Sequence, residues 1–384
     1  MGEGDVRARR AAIISILHPR GIPALWCPSI THYDEKGDVD IERSQAHLAR
    51  IIPHAPCLLI PGSTGDGWEM DAVETDAVLR NLLPIVGDLG GKALIGALDP
   101  DAARAGRAME ERMNLALEAA GAGIGFEDLR GDAEKAAVAC AAAGIAGFAV
   151  CAPAGEGRSQ REIGEALSAI LALGLPTALY QLPQVTKNEI APDTFARLAS
   201  DWPNLYLFKD TSGLDHIALA DIDRGGVFFV RGAEGDYSRW ISRSGTCEGS
   251  RAERRYDGLL LSSANVFAAE LAEIIKLARA GEEEKSTELS GRISRVVDSM
   301  FAEAAGLPYG NAFSNANRAL DWIMAYGQAF GRVMPFGRVM PFSAGSPKAG
   351  PRTHSGERLP ASLLEFAAAA LAREGFEPPR YEEA

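Results

Sequence analysis

Between Ile22 and Ala264 the chain alternates short, wholly apolar runs with longer stretches in which apolar residues recur every three or four positions. The runs are Ile22–Ile30 (IPALWCPSI), Cys57–Ser63 (CLLIPGS), Lys92–Leu98 (KALIGAL), Gly147–Pro153 (GFAVCAP), Pro176–Leu182 (PTALYQL), Leu205–Asp210 (LYLFKD), Gly226–Gly232 (GVFFVRG) and Gly258–Ala264 (GLLLSSA). A strand with one wet face alternates apolar and polar residues. These runs do not, so they read as parallel strands covered on both faces. Helical patterns separate them, several opened by a capping signal: Asp71 before Ala72, Ser159 before Gln160, and Pro192-Asp193 after Ala191. Eight such β–α units within the first 281 residues predict an α/β fold, a closed (β/α)8 TIM barrel, in preference to an open doubly wound sheet.

On this reading residues 1–281 form the barrel and carry the catalytic site, with 1–20 as an N-terminal extension. Residues 282–384 form a C-terminal helical extension expected to pack on the outside of the barrel, with a final helix, Leu363–Arg373, docking back on the body. A loop-like segment at about 331–360 opens with a tandem duplication, GRVMPF at Gly331–Phe336 and again at Gly337–Phe342.

Composition narrows the function. Of 384 residues 47% are apolar and 24% charged, the balance of an ordinary globular protein, which excludes a disordered, collagen-like or coiled-coil chain. The net charge of −13 repels phosphate backbones and argues against nucleic acid as a partner. The five cysteines (Cys27, Cys57, Cys140, Cys151, Cys247) are scattered among apolar residues, as reduced, buried thiols are. The six histidines form no HxxxH or HxH pair and no GxGxxG follows the first strand, so neither a metal nor a cofactor is expected. No apolar run approaches the ~18 residues of a membrane span. The stretch RARRAAIISILHPR resembles a signal peptide but lacks a small-residue cleavage site, and Val6 stands where myristoylation requires Ser or Thr. The expectation is a cytoplasmic protein.

In a barrel, chemistry gathers at the C-terminal ends of the strands. Strand two ends in Gly62-Ser63-Thr64-Gly65-Asp66, whose small residues admit a ligand to the backbone and whose hydroxyls bind a carboxylate or pass a proton, although an ordinary strand-to-helix turn has the same composition. Strand five ends in Leu179-Tyr180-Gln181, where a tyrosine is equally at home in the core. Strand six sets a single lysine, Lys209, inside Leu205-Tyr206-Leu207-Phe208-Lys209-Asp210. Such a lysine either snorkels to water or, held in a low-dielectric pocket that favours a neutral amine, serves as a nucleophile.

Together these three strand ends resemble the dihydrodipicolinate synthase / N-acetylneuraminate lyase family of class I, pyruvate-dependent aldolases, over roughly Gly21 to Gly281. Further matches are YDEKGDVD (Tyr33–Asp40), PDTFARLA (Pro192–Ala199), KDTSG (Lys209–Gly213) and ANVF (Ala264–Phe267). The resemblance implies that Lys209 forms a Schiff base with a 2-oxo acid, that Tyr180 shuttles protons, and that Ser63, where the family usually has threonine, joins Tyr180 in a relay. It assigns Thr64, Gly62, Gly232 and Leu260 to substrate binding. It further implies a homo-oligomer, a dimer or tetramer, whose small-molecule partners are a pyruvate-like acid and an aldehyde.

The departures set the expected function. The family's dihydrodipicolinate synthases carry a Tyr-Tyr pair after strand four, whereas Ala152-Pro153-Ala154-Gly155-Glu156-Gly157 has no tyrosine; Gln181 replaces an asparagine, and Val185 stands where an arginine binds the second substrate's carboxylate. The expectation is a Schiff-base lyase making or breaking a 2-oxo acid by reversible aldol chemistry, but not a dihydrodipicolinate synthase. The alternatives are a 2-keto-3-deoxy sugar acid dehydratase or hydratase-aldolase of the same family, and a catalytically silent barrel with a binding or regulatory role. Segments beyond the family pattern lie at Gly121–Asp132 and Cys247–Arg255; Arg251, Arg254 and Arg255 in the second read either as solvated surface or as contacts for an anionic acceptor.

Overall fold

All eight apolar runs become parallel strands: β1 (Leu25–Pro28), β2 (Cys57–Ile60), β3 (Lys92–Gly96), β4 (Ile145–Cys151), β5 (Thr177–Gln181), β6 (Leu205–Asp210), β7 (Phe228–Arg231) and β8 (Gly258–Leu260). They close in chain order, β8 pairing with β1 through Leu25 opposite Leu259 and Trp26 opposite Leu260. This computed structural model describes residues 3–241, 256–326 and 350–377, so Cys247, Arg251, Arg254, Arg255 and both GRVMPF copies lie outside the described residues.

The outer layer follows the strands in order: α2 (Ile41–Ile51), α3 (Ala72–Asp88), then α4 (Ala102–Ala119) and α5 (Ala133–Ala142) together between β3 and β4, and α6 (Gln160–Leu171) after β4. The short α7 (Pro183–Thr186) and α8 (Pro192–Asp201) follow β5, α9 (His216–Leu219) follows β6, α10 (Tyr237–Trp240) follows β7 and α11 (Ala264–Ala280) follows β8. Asp71 and Ser159 cap α3 and α6 as their sequences predict, each in a reciprocal box with the glutamate three residues on. The alanine-rich α5 escapes sequence reading because its apolar and polar positions hardly segregate, leaving little periodicity to detect.

The N-terminal extension is itself a helix, α1 (Glu3–Leu17), and it covers the end of the barrel opposite the chemistry. Arg10, buried, spends its guanidinium on backbone carbonyls around the start of β6, donating to Leu205 O at 2.6 Å and Trp202 O at 2.8 Å. Lys92, the first residue of β3, reaches Leu17 O. The basic-then-apolar stretch that resembles a signal sequence is therefore an integral part of the barrel's lower cap.

The C-terminal extension comprises α12 (Glu283–Ala304), α13 (Ala312–Tyr326) and α14 (Ala361–Arg373). It does not stay on the outside of the barrel, as its sequence position suggested. The start of α13 climbs onto the mouth, where Ser314 Oγ donates to Thr64 O at 2.8 Å. Buried Arg318 binds Asp66 and donates to Thr31 O at 3.1 Å. A covered carboxylate–guanidinium pair of this kind fixes orientation well because breaking it leaves a buried charge uncompensated.

Candidate active site

Side-chain alternation along the strands builds the site. On β6, Phe208 turns outward to Phe195 of α8, ring centroids 4.9 Å apart, so Lys209, one residue on, turns into the barrel. Tyr180 on β5 lies in register with Lys209. The Lys209 Nζ stands 3.9 Å from the centre of the Tyr180 ring, and both residues are buried. Across the mouth, the tight turn after β2 presents Ser63, whose Oγ is 3.4 Å from the Tyr180 hydroxyl.

The turn has its own supports. Asp66 closes it in a left-handed conformation, φ 64°, and its carboxylate accepts from the Tyr33 hydroxyl at 2.9 Å as well as from Arg318. Gly65 lies so close to the first β–α loop that a Cβ there would meet Ser29 O at 2.4 Å. Ser63 has a second partner that sequence reading missed: Trp68 Nε1 donates to Ser63 Oγ at 2.9 Å. An indole N–H only donates, so Ser63 Oγ accepts from Trp68 and keeps both its O–H and a second lone pair for the bond with the Tyr180 hydroxyl.

A cavity of about 500 Å³ opens over these groups. Of the residues singled out in the sequence, Lys209, Tyr180, Ser63, Thr64, Gly232 and Leu260 all line it. Gly62 does not; it packs below the turn, where a Cβ would sit 3.0 Å from Leu59 Cγ and 3.1 Å from Pro28 Cβ. Gly232 has a specific reason to lack a side chain, because a Cβ there would come 2.8 Å from Lys209 Cε and 2.4 Å from Thr211 Cγ2. The remaining wall is largely apolar, with Trp68, Leu182, Val185, Phe301 and Phe313. Phe301 and Phe313 come from α12 and α13, and nothing in their local sequence marks them.

Glu234 also faces the cavity, and its carboxylate is fully engaged: it accepts from Ser262 Oγ at 2.7 Å, Ser263 N at 3.0 Å, Ser263 Oγ at 2.6 Å and the Tyr237 hydroxyl at 2.9 Å. Four donors fill the four lone-pair positions of a carboxylate, so the Glu234 side chain is held in place in the cavity wall. Behind the lysine, burial raises the Asp210 carboxyl above its ordinary value. The Cys151 thiol, beside Tyr180, is pushed up to about 12 by burial, which keeps it an inert thiol. Gln181, a departure from the family pattern, is structural: its Oε1 accepts from Ile190 N at 2.8 Å and pins the loop before α8.

Tertiary packing does assemble one set of potential metal donors that sequence spacing hid, His32, His47 and Asp321, their ligand atoms within 4.8 Å of one another. Its chemistry is already spoken for. Asp321 receives the guanidiniums of Arg43 and Arg50, and His47 is held between Asp321 Oδ1 at 2.9 Å and Asn265 Oδ1 at 3.0 Å. Two guanidiniums on the only carboxylate repel a further cation, so the set reads as a buried polar joint between α2 and α13. The other cysteines in the described residues are buried and unpaired, and no described helix is long and apolar enough to cross a membrane.

Residues 121–314, half of the chain, match the dihydrodipicolinate synthetase family. A 4-hydroxy-tetrahydrodipicolinate synthase from Prosthecochloris aestuarii is 30% identical over 212 residues, 53% of this chain and 65% of that protein, so the match spans less than two thirds of the relative's length. Among solved structures, the E. coli K12 prophage protein YagE, a dihydrodipicolinic acid synthase family member determined with pyruvate, superimposes with a TM-score of 0.62 at 17% identity over 92% of this chain and 99% of the other. A variant of the Sulfolobus solfataricus 2-keto-3-deoxygluconate aldolase gives 0.59 at 16% identity, over 92% and 96%. At these identities the structural likeness is one of fold.

Proposed function

We propose, from the premise that the chain belongs to the dihydrodipicolinate synthetase family, that it is a lyase of the class I aldolase type acting through a lysine Schiff base on pyruvate or a related 2-oxo acid. One observation carries the reading: a buried lysine amine, the ring of a tyrosine 3.9 Å away and that tyrosine's serine partner share a single cavity at the C-terminal end of a barrel. The pyruvate held by YagE supports the choice of acid.

In this reading the Lys209 amine adds to the keto carbon, and the carbinolamine loses water to leave an iminium. The iminium accepts the electron pair of the C3–C4 bond as that bond breaks, or returns it from the enamine to an aldehyde carbon as the bond forms. Tyr180 gives and takes the proton at the carbinolamine oxygen and at the departing aldehyde's hydroxyl. Ser63, which also accepts from Trp68, bonds the Tyr180 hydroxyl and joins it in the proton relay. Thr64 and the backbone of its turn hold the acid's carboxylate.

The other half of the cavity supports an uncharged aldehyde. Trp68, Leu182, Val185, Phe301 and Phe313 form its wall, and no arginine lines it among the described residues. Among the described residues, an aldehyde bearing a carboxylate would lose hydration there without gaining a guanidinium. The test is intact-mass spectrometry after incubation with pyruvate and borohydride, followed by peptide mapping. A single reduced adduct on Lys209, absent from a folded Lys209→Ala variant and slow to form in Tyr180→Phe, is the expected result. No adduct on the folded protein with pyruvate or with a bulkier 2-oxo acid would overturn the reading.

A further inference from the structure

The C-terminal extension supplies part of the acceptor half of the cavity. Phe313 sits between two residues that tie the start of α13 to the turn after β2: Asn311 Nδ2 donates to Ser63 O at 3.2 Å and Ser314 Oγ to Thr64 O at 2.8 Å. Phe301 of α12 stands against it, ring centroids 4.7 Å apart and planes at 89°. Both rings line the cavity, as does Trp68, and Phe313 is left 50% exposed. A ring tied down on both sides and half in water gains stability from any apolar body that covers it. The two perpendicular planes suit a third ring in particular, which meets such a pair edge-to-face.

The polar side chains on the same wall are already committed to the protein. Gln184 Nε2 donates to Thr211 O at 3.0 Å, Thr211 Oγ1 to Gln181 O at 2.7 Å, and Ser262 Oγ to Glu234 at 2.7 Å. Ser212 Oγ accepts from Leu214 N at 3.2 Å and Asp215 N at 3.3 Å. Asn311 spends its carbonyl oxygen on Ser314 N at 2.7 Å as well as its amide on Ser63. Glu69, which receives Asn311 at 3.3 Å, is exposed to water. Among the described residues, a polyhydroxylated chain entering this half would give up water for partners that are already taken, whereas an apolar one meets three rings.

Building on the Schiff-base reading above, we propose that the acceptor is an aldehyde carrying an aromatic ring rather than a polyhydroxylated one, and that Phe301 and Phe313 set this preference. The enamine of pyruvate on Lys209 adds through C3 to the aldehyde carbon, and the aldehyde oxygen takes a proton from Tyr180. Hydrolysis of the iminium then releases a 4-aryl-4-hydroxy-2-oxobutanoate and restores the lysine amine. Cleavage is the reverse, and neither direction consumes an oxidant or a reductant.

The test measures kcat/KM for condensation of pyruvate with benzaldehyde and, separately, with glyceraldehyde, each product quantified by chromatography with mass detection. The full chain is expected to favour benzaldehyde by about 100-fold, the discrimination an apolar pocket makes against added hydroxyls. The benzaldehyde-to-glyceraldehyde ratio falls by about tenfold in Phe313→Ala and in Phe301→Leu, and a ratio cancels any general loss of activity. Phe313 is half-exposed and leucine keeps bulk at position 301, and circular dichroism verifies that both variants fold. Borohydride trapping of pyruvate on the parent protein separates this inference from the reading beneath it. No adduct on Lys209 overturns both. An adduct accompanied by a preference for glyceraldehyde, by no turnover of either aldehyde, or by a ratio unchanged in both variants overturns the aromatic acceptor and leaves the Schiff base standing.

Discussion

Replacing Gly232 with alanine tests whether the lysine's position is set by the strand beside it. Gly232 has no unusual backbone conformation, so alanine costs nothing there, and the whole effect comes from the added methyl. That methyl would lie 2.4 Å from Thr211 Cγ2 and 2.8 Å from Lys209 Cε. Carbon atoms in contact prefer at least about 3.5 Å, so the lysine stem has to withdraw by about 0.7 Å. Thr211 yields less readily, because its hydroxyl donates to Gln181 O at 2.7 Å. Overpacking of this size costs about 1–3 kcal/mol of stability. The larger consequence falls on the amine, since a displacement approaching 1 Å reduces reaction rates by about 10–100-fold. The assay follows adduct formation with pyruvate and borohydride by intact mass against time, with circular dichroism melting as the control for folding. Slow trapping at the same lysine in a folded protein is expected. Trapping at the parent's rate would show that Gly232 does not bound the lysine and would refute the reasoning.

Trp68→Phe keeps an aromatic side chain, though a smaller one, and removes the N–H bonded to Ser63 Oγ, so trapping slows by about five- to tenfold and its pH profile shifts; an unchanged profile would remove Trp68 from the relay. Arg318→Met strands the Asp66 carboxylate in the interior and costs about 3–5 kcal/mol in denaturant unfolding, part of which Asp66→Asn restores in the double variant. Burial lowers the pKa of His18 from 6.5 to about 4, so the folded state holds it neutral while the unfolded chain protonates below 6.5. Stability is therefore intact above pH 6.5 and falls as the pH drops toward 4, by about 3 kcal/mol for this group. His18→Phe flattens the acid limb of the stability curve by that amount, while the buried His32 and His47, lowered in the same direction by burial, keep part of the slope.

The barrel was legible because its strands are buried on both faces, and continuous apolar runs separated by amphipathic stretches have few other solutions. Lys209 stood out for the same reason: a charge inside LYLFKD contradicts its surroundings and so advertises a purpose. Tyr180 and Ser63 were legible only through their positions at strand ends, which the barrel's geometry turns into a common location. Trp68 carried a local signal, five residues beyond Ser63 on the same turn, but tryptophan on a turn reads first as packing.

What the sequence determined alone is thus the alternation of apolar runs with amphipathic helices and the chemical identity of the groups at the strand ends, properties readable within a few residues of one another. The tertiary structure decided everything that depends on elements distant in the chain. It placed α1 under the barrel through Arg10, and it set the start of α13 against the turn that bears Ser63 and Thr64, 250 residues away from Ser314 in the case of Thr64. It gathered His32, His47 and Asp321 into one buried joint. The physical reason is that local patterns report which face of an element is buried. Which partner buries it is decided by packing and by pairs such as Asp66 with Arg318, which leave no trace in the periodicity of either segment.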